Sequence, residues 1–367
     1  MTRPTLLLTF LLLAACGEPQ DTALPAADRP LHGSAQAIAR HMDPVPHDSL
    51  LTVSESFDQY FEAVGAVELS DSVLIDGVRS LDVSRDGRFL VQSYREAKVL
   101  LFEPDGSLVA DLSAEECHPG HEWTITHVGF FEDGSILLTS GPHAPLLFDR
   151  DGNCTGAWGA PAFSDATRPA SDGHAFQYFP LSDSTNLFLH AADGSVAASW
   201  DVEVRLPQMA RRLGGGGLAV DGDGVAYLSQ STDARVRRFR RGVEAEWIGD
   251  VPEYFRRAEE DMPQVRGLPA LMEAMRNLPP HTITSEFHLL DGDRLIQQFH
   301  SRFEWEGRPE RIHAIRVMDT EGRTLNAEPI FVGPIRFAGA RDGVVFREIP
   351  PVLDGGNSTL VLYRFTG

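Results

Sequence analysis

Five side chains with ligand-binding or acid–base chemistry occur at comparable places in this sequence, each near the start of a recurring unit of predicted strands. They are Arg79, His127, His174, Glu286 and Arg336. Two imidazoles and a carboxylate from different units could ligate a transition metal, so His127, His174 and Glu286 are candidate metal ligands. The two guanidinium groups could hold an anionic ligand through charge-assisted hydrogen bonds. The alternative for each of the five is an ordinary hydrogen-bonded residue.

No catalytic motif accompanies these residues. The sequence contains no nucleophile elbow, no phosphate-binding glycine loop and no helical HExxH motif. The run Gly214 to Gly217 leads into the strand-like segment LAV instead of opening a helix, and we expect it to let the backbone approach a crowded axis. We therefore predict no catalytic residue and no cofactor, and a divalent metal remains an option only at the three candidate ligands.

The stretch from Val78 to Leu112 shows what must position these side chains. It predicts an antiparallel meander of three or four short strands, with turns at Asp86–Gly87 and Asp105–Gly106. Asp-Gly pairs supply the positive φ that tight hairpin turns require, and the residues between them alternate as in a half-buried sheet. Because the unit recurs along the chain, it predicts a repeat fold.

Six such units succeed one another at intervals of about 40 to 50 residues, with one interval of roughly 70, which is the period of propeller blades. They cover Val78–Leu112, His127–Gly159, His174–Val202, Gly216–Ile248, a fifth from near Ile283 with an excursion at Phe303–Arg311, and Pro334–Phe365. The third unit is less regular, and its three predicted strands begin near Phe176. Each first residue of an innermost strand is expected at the mouth of a central channel.

The last unit stops after three strands, whereas Phe61 to Leu69 predicts a lone strand ahead of the first unit. We expect this N-terminal strand to complete the last blade and close the ring, because closure removes exposed strand edges. The prediction is an all-β fold, a six-bladed β-propeller over residues 57–367, closed by an N-terminal strand and carrying one helical insertion.

Segments such as VLLFEPDGSLVADL and PLLFDRDGNCTGAWG resemble the six-bladed propellers of the NHL and TolB-like kind, especially bacterial lipoprotein propellers. The resemblance covers nearly all of Phe61 to Phe365. It implies the fold much more strongly than the function, because propellers serve as enzymes, receptors and scaffolds alike.

The N-terminus has the features of an export signal. Residues 1–16, MTRPTLLLTFLLLAAC, combine Arg3, an apolar run and small residues before a cysteine, and the run is too short to span a membrane as a mature helix. Leu13 to Cys16 resembles the lipobox of bacterial lipoproteins, which implies that Cys16 is lipidated and becomes the mature N-terminus. Gly17, in place of an aspartate, favours an outer-membrane address. An ordinary signal peptide with a chance cysteine is the alternative.

Two further segments interrupt the repeats. Residues 17–56 are poor in apolar periodicity and rich in Pro, Ala, Asp and His, which predicts a flexible tether. Residues from about 253 to 277 predict a helix, with one apolar stripe that includes Leu268, Leu271 and Met275. This helix either packs on the side of the propeller or acts as a lid or docking element.

Cys117 and Cys154 are the cysteines that follow Cys16. Export would place them in an oxidising compartment, where a disulfide between neighbouring units can form. Cys117 falls in a connection before the second unit and Cys154 in that unit's outer hairpin, so the two could also be too far apart to bridge. Two cysteines alone cannot form a zinc site.

Composition excludes some partners. The formal net charge is -21, so a nucleic acid phosphate backbone would be repelled over most of the surface. The 33 Gly and 24 Pro fit a turn-rich fold, and 42% hydrophobic residues suffice for a core.

The leading functional expectation is a lipid-anchored cell-envelope propeller, monomeric, that binds a small ligand or an envelope protein. The alternative is a metal-dependent propeller hydrolase of the lactonase or esterase kind, with its site in the central channel. A quinone-binding redox propeller lacks supporting residues. Several carboxylates and amides converging in the channel would favour the hydrolase, and an open channel of mixed chemistry would favour binding.

Overall fold

In the computed structural model the chain forms six four-stranded antiparallel sheets, as the repeat predicts. The structure describes residues 31–44, 55–70, 75, 77–93, 98–117, 119, 124–141, 143–162, 164, 166–179, 186–204, 215–258, 269–270, 273, 281–305, 308–332, 336–349 and 358–367. In the first five sheets the strands pair in the order in which they occur along the chain. The all-β propeller prediction is therefore confirmed.

The strands of the first three blades are β2 Val78–Val83, β3 Phe89–Ser93, β4 Val99–Phe102 and β5 Leu108–Asp111; β6 Ile125–Phe130, β7 Ile136–Ser140, β8 Leu146–Phe148 and β9 Cys154–Ala157; β10 Ala166–Pro169, β11 Ala175–Tyr178, β12 Leu187–His190 and β13 Val196–Trp200. A short 3₁₀ helix, Ser171–Gly173, joins β10 to β11. Asp-Gly turns with a positive φ at the glycine, such as Gly87 and Gly134, connect the predicted hairpins.

The fourth blade contains β14 Gly216–Val220, β15 Ala226–Gln230, β16 Val236–Phe239 and β17 Glu246–Ile248. The fifth contains β18 Thr282–Asp291, β19 Arg294–Trp305, β20 Arg308–Asp319 and β21 Ile330–Val332. The last contains β22 Phe337–Arg341, β23 Val344–Ile349 and β24 Thr359–Phe365, together with β1 Phe61–Glu68. β19 and β20 pair as far as Trp305 and Arg308. The excursion expected at Phe303–Arg311 is thus the end of one long hairpin.

The six innermost strands contact one another in a closed circle, β2, β6, β10, β14, β18, β22 and back to β2. Apolar side chains fill the wedges between neighbouring blades; Leu101 and Val128 belong to the wedge between the first two blades, and Ile315 and Val361 to that between the last two. Burial of these faces supplies the main driving force for the ring. The innermost strands are left to line a central channel.

The N-terminal strand closes the ring as predicted. β1 pairs antiparallel with β24 from Phe61 opposite Phe365 to Glu68 opposite Thr359. Arg364 adds an ion pair across this closure, with Nη2 2.6 Å from Oε2 of Glu62. The last blade therefore takes its outermost strand from the other end of the chain.

The expectation of a flexible tether over the whole of residues 17–56 is wrong for residues 31–44. These residues include helix α1, Gly33–Ala39, whose Ala35 and Ile38 are fully buried at 0% exposure against the first and last blades. Ser34 donates hydrogen bonds from its backbone N and its Oγ to Oδ2 of Asp342, at 2.8 and 2.5 Å. Two apolar side chains in one short turn are enough to dock this segment but too few to show as periodicity.

A second short helix, α2, Glu55–Asp58, leads into β1. Its Phe57 is buried and stacks on Phe61 with ring centroids 4.6 Å apart. The helix that leads into β1 thus begins two residues before the predicted boundary at residue 57.

The predicted helix at residues 253–277 is only partly within the described residues. Residues 253–258 form a turn followed by residues without regular secondary structure, so the predicted start is wrong. Pro269, Ala270 and Glu273 are helical, and the rest of the stretch lies outside the described residues. Phe255 is buried against Phe299 of β19, which explains why this part follows the blade surface.

The structure joins Cys117 and Cys154 in a disulfide, with Cα atoms 5.6 Å apart. Cys117 ends a short helix, α3, Ala114–Cys117, in the connection that follows the first blade. This connection passes beside β9, the outer strand of the second blade. Cys117 and Cys154 are therefore close enough to form a disulfide, because the connection between the first two blades runs beside the outer strand of the second.

Candidate functional site

The channel widens into a cavity of about 380 Å³ at the end where the innermost strands begin. We call this the arginine cavity. Its charged and imidazole-bearing lining residues are Arg79, Arg168, Arg336, His127, His288 and Glu286. Ten lining residues carry hydroxyl or amide side chains: Ser80, Gln92, Thr126, Ser164, Thr167, Tyr178, Ser229, Gln230, Ser231 and Ser285. The site combines three cations, one carboxylate and many neutral polar groups.

A second cavity, of about 550 Å³, opens at the opposite end of the channel. We call it the opposite cavity. Arg168, Leu218 and His288 line both cavities and therefore form the waist between them. The rim of the opposite cavity includes Gly33 and Asp342, where helix α1 docks. The N-terminal segment thus reaches the propeller on the face away from the arginine cavity.

Glu286 and Arg336 form the strongest charged contact in the arginine cavity. Nε of Arg336 donates a hydrogen bond to Oε1 of Glu286, and Nη2 of Arg336 donates to the backbone oxygen of Arg79 at 2.7 Å. Burial raises the pKa of Glu286, and the charge and hydrogen bond of Arg336 oppose that rise. Arg336 thus has its charge paired with Glu286 and uses two of its five N–H donors within the protein.

His288 is two residues further along β18, so it lies on the same face of the strand as Glu286. Its Nε2 lies 3.7 Å from Oε2 of Glu286, beyond hydrogen-bond distance, and is buried with no hydrogen-bond partner among the described residues. Burial lowers the pKa of His288 to about 3, and the charges of Arg168 and Arg336 act in the same direction. His288 is therefore a neutral imidazole at the waist of the channel.

Arg168 and Arg79 have a different status from Arg336. Arg168 donates from Nε to the backbone oxygen of Leu218 at 3.0 Å and from Nη1 to that of Val128 at 3.4 Å, which ties the second, third and fourth blades together. Neither Arg168 nor Arg79 forms an ion pair with a carboxylate of the described residues. Neither guanidinium group is therefore in direct contact with a carboxylate of the described residues, although the charge of Arg168 also acts on Glu286.

Glycines bring two blades close together beside the cavity. Gly215 and Gly216 have φ values of +86° and +74°. A Cβ at Gly215 would lie 2.3 Å from the backbone oxygen of Thr284, on the neighbouring β18. The glycine run therefore allows close backbone contact between neighbouring blades, as well as contributing to the cavity wall.

Four of the five predicted side chains meet in the arginine cavity, namely Arg79, His127, Glu286 and Arg336. His174 does not. It follows the 3₁₀ turn after β10, whose neighbours Pro169 to Ser171 line the opposite cavity. The third blade begins with β10, a strand that the sequence analysis missed, so the placement of His174 at the start of an innermost strand is wrong. The predicted metal set His127, His174 and Glu286 is not brought together.

Arg168 and His288 are the lining residues that the sequence analysis missed. Arg168 belongs to β10, which is four residues long and contains a proline, so it carries little strand signal. His288 could have been found, because alternation along β18 places it on the face of Glu286. Within the described residues, no group of three or more His, Cys, Asp or Glu side chains is arranged to hold a metal ion.

Cys16, the predicted lipidation residue, lies outside the described residues. No helix in the described part of the chain has both the length and the apolar character needed to cross a bilayer.

Comparison with known proteins yields structural similarity only. No protein-family profile matches the sequence, and no curated protein matches it. A protein of Bacteroides fragilis NCTC 9343 described as exported matches with a TM-score of 0.59 at 11% identity, over 84% of this chain and 96% of that one. A DUF4221 family member from Bacteroides vulgatus ATCC 8482 matches with a TM-score of 0.54 at 8% identity, over 83% and 98%.

A streptogramin B lyase superposes less well, with a TM-score of 0.46 at 11% identity, over 84% of this chain and 99% of that one. Identities this low show a common fold and leave the chemistry of each channel to be argued from its own residues. The chain is a six-bladed β-propeller, and that fold is what it shares with the two Bacteroides proteins.

Proposed function

We propose that this protein is an exported, lipid-anchored propeller of the cell envelope that binds a small anionic ligand in the arginine cavity. The observation that carries the proposal is the pair Arg79 and Arg168, two cavity arginines without an ion-pair partner among the described residues. Guanidinium groups form strong charge-assisted hydrogen bonds to carboxylates and phosphates. Arg79 is exposed at the mouth of the cavity, and Arg168 is half-buried at its waist.

The net negative charge of the whole chain makes the positive arginine cavity an exception. With a formal net charge of -21, most of the surface repels anions. The arginine cavity contains three guanidinium groups and one carboxylate, and that carboxylate is already engaged by Arg336. An anion is therefore favoured in this cavity over the rest of the surface. The lining is a mixture of cations, hydroxyls and amides, which is the arrangement that favours binding over a metal-dependent hydrolase.

The proposed location has its own support. Leu13 to Cys16 matches a lipobox at all four positions, and several acyl chains on one cysteine would give firm membrane attachment. One structural neighbour is described as an exported protein. The anchor is tested by labelling with palmitate and by membrane fractionation. The wild type should incorporate the label and fractionate with membranes, and Cys16→Ser should do neither. Unaltered fractionation of Cys16→Ser would reject it.

The ligand proposal is tested by thermal unfolding and calorimetric titration with citrate and inorganic phosphate, at constant ionic strength in chloride. We expect at least one anion to stabilise the wild type. The substitution Arg79→Gln should remove that stabilisation. The matched control is Arg85→Gln, which makes the same charge change at an exposed arginine that pairs with Glu132 at 2.7 Å near the opposite cavity. Equal loss in both variants would mean that general charge, and not the cavity, governs binding.

A further inference from the structure

We infer that the ligand of the arginine cavity is an anionic monosaccharide, that is, a sugar ring or chain with several hydroxyl groups and one carboxylate or phosphate. This inference rests on the proposed anion binding and adds to it the requirement for hydroxyl groups. It follows from which hydrogen-bonding atoms around the arginines are already used and which are left for a ligand.

Two lining hydroxyls already donate hydrogen bonds within the protein. Oγ of Ser80 donates to Oε1 of Gln92 at 2.9 Å, and Oγ of Ser285 donates to the backbone oxygen of Gln298 at 3.1 Å. A serine hydroxyl has one proton and two lone pairs, so each of these groups can offer a ligand only an acceptor. The walls beside the arginines are therefore rich in acceptors.

Gln230 provides the same chemistry in a buried position. The residue is 5% exposed, its Nε2 donates to the backbone oxygen of Glu203 at 2.8 Å, and its Oε1 has no hydrogen-bond partner among the described residues. Because an unsatisfied buried acceptor lowers stability, a ligand donor that reaches Oε1 through a small rotation of this cavity-lining side chain would remove that cost. Nε2 of His288, on a side chain 10% exposed, is a second buried atom at the waist without a partner among the described residues, and it accepts a hydrogen bond when the ring proton is on Nδ1.

The complementary molecule must satisfy both kinds of group at once. Its anionic end pairs with the donors of Arg79 and Arg168, and its O–H groups donate to Ser80, Ser285 and Gln230. A simple carboxylate leaves the acceptors unsatisfied, and a neutral sugar leaves the arginines unpaired. A site built to hydrogen-bond a hydroxyl discriminates strongly against an analogue that lacks it. A volume of about 380 Å³ is at the small end of the ligand-pocket range and suits one sugar unit.

The experiment is calorimetric titration of the wild-type protein with five probes: glucuronate, glucose 6-phosphate, glucose, propionate and inorganic phosphate. We expect glucuronate or glucose 6-phosphate to bind at least about tenfold more tightly than glucose and than the matching anion without hydroxyls. The two sugar anions distinguish a carboxylate from a phosphate as the charged group.

A variant pair tests the acceptor argument directly. Gln230→Met keeps the side-chain length but removes the acceptor, and it should lower affinity for the sugar anion about tenfold while leaving affinity for propionate or phosphate unchanged. The matched control is Gln177→Met, because Gln177 is also a buried glutamine with an unpartnered Oε1 but does not line the cavity. Circular dichroism of both variants checks folding, and Ser285→Ala replaces Gln230→Met if that variant does not fold.

The outcomes separate the two claims. If propionate or phosphate binds as tightly as the sugar anions, the inference is overturned and anion binding stands. If no anion binds, or if glucose binds as tightly as glucuronate, the proposed function fails and the inference fails with it. An equal loss in Gln230→Met and Gln177→Met would also overturn the inference.

Discussion

Replacing His288 by glutamine should make the protein less sensitive to mild acid. In the folded protein, burial and the charges of Arg168 and Arg336 lower the pKa of His288 from 6.5 to about 3. In the unfolded chain the imidazole has its ordinary pKa. The folded-state pKa is depressed, so the neutral imidazole contributes to stability fully above the unfolded pKa, and that contribution is lost as the pH falls from 6.5 towards 3.

The size of the effect follows from proton uptake. Between about pH 7.5 and about pH 5, the unfolded chain takes up nearly one proton at this residue while the folded chain takes up almost none. The free energy of unfolding of the wild type should therefore fall by about 2 kcal/mol relative to that of His288→Gln, at about 1.4 kcal/mol per pH unit. The raised pKa of Glu286 has an effect of the opposite sign, and its carboxylate lies only 3.7 Å from Nε2 of His288, so the two residues are coupled. The comparison is therefore repeated in the Glu286→Gln background, where that effect is absent.

The assay is urea unfolding of both proteins at several pH values, followed by tryptophan fluorescence and far-UV circular dichroism. His41→Gln, which removes an exposed imidazole from the N-terminal segment, is the control and should track the wild type. A difference between wild type and His288→Gln that does not change with pH would refute the burial argument. An NMR titration that places the His288 transition near its ordinary range would refute it independently.

Three further results are expected. Glu286→Gln removes the negative charge that pairs with Arg336 and competes with an anionic ligand. The affinity for an anion in calorimetric titration should therefore rise by about fivefold to tenfold. Unchanged affinity would show that the carboxylate does not compete. Cys117→Ser combined with Cys154→Ser opens a loop of 37 residues and should lower the free energy of unfolding by about 4 kcal/mol in chemical denaturation, relative to the oxidised protein. Gly215→Ala places a Cβ against the backbone of Thr284 at a positive φ and should cost about 1–3 kcal/mol or more, whereas Gly292→Ala, with open space around it, should be nearly neutral in the same assay.

The parts of the fold that local chemistry determines could be predicted from the sequence. Asp-Gly turns such as Asp86–Gly87 have a local conformational cause, and their spacing identified the number of blades. The closing role of Phe61–Glu68 followed from counting strands in the last unit, because an open edge must find a partner. Four cavity residues were found because they lie in the first half of an innermost strand or directly before it.

The errors arise where tertiary packing, and not local pattern, decides the structure. β10 is too short and too polar to be recognised, and its omission displaced His174 and hid Arg168. Helix α1 is held by two buried side chains and by contacts to Asp342, more than 300 positions away in the chain. The unused acceptor of Gln230 is also invisible in a sequence, because it depends on which partners the fold supplies.

The pairing of β1 with β24 determines the order in which the molecule can be completed. Glu62 and Arg364 form their ion pair across 302 residues, so β1 has no strand to pair with until the far end of the chain has been synthesised. Until then the first five blades form an open arc, and the free edges of that arc are sites for wrong pairing with other chains. Completion of the ring is thus a late step with a high loop-closure cost, and it makes the folding rate sensitive to events at either terminus. A chain truncated before β24 would leave β1 without its partner strand. Such an open propeller would be a substrate for quality-control proteases.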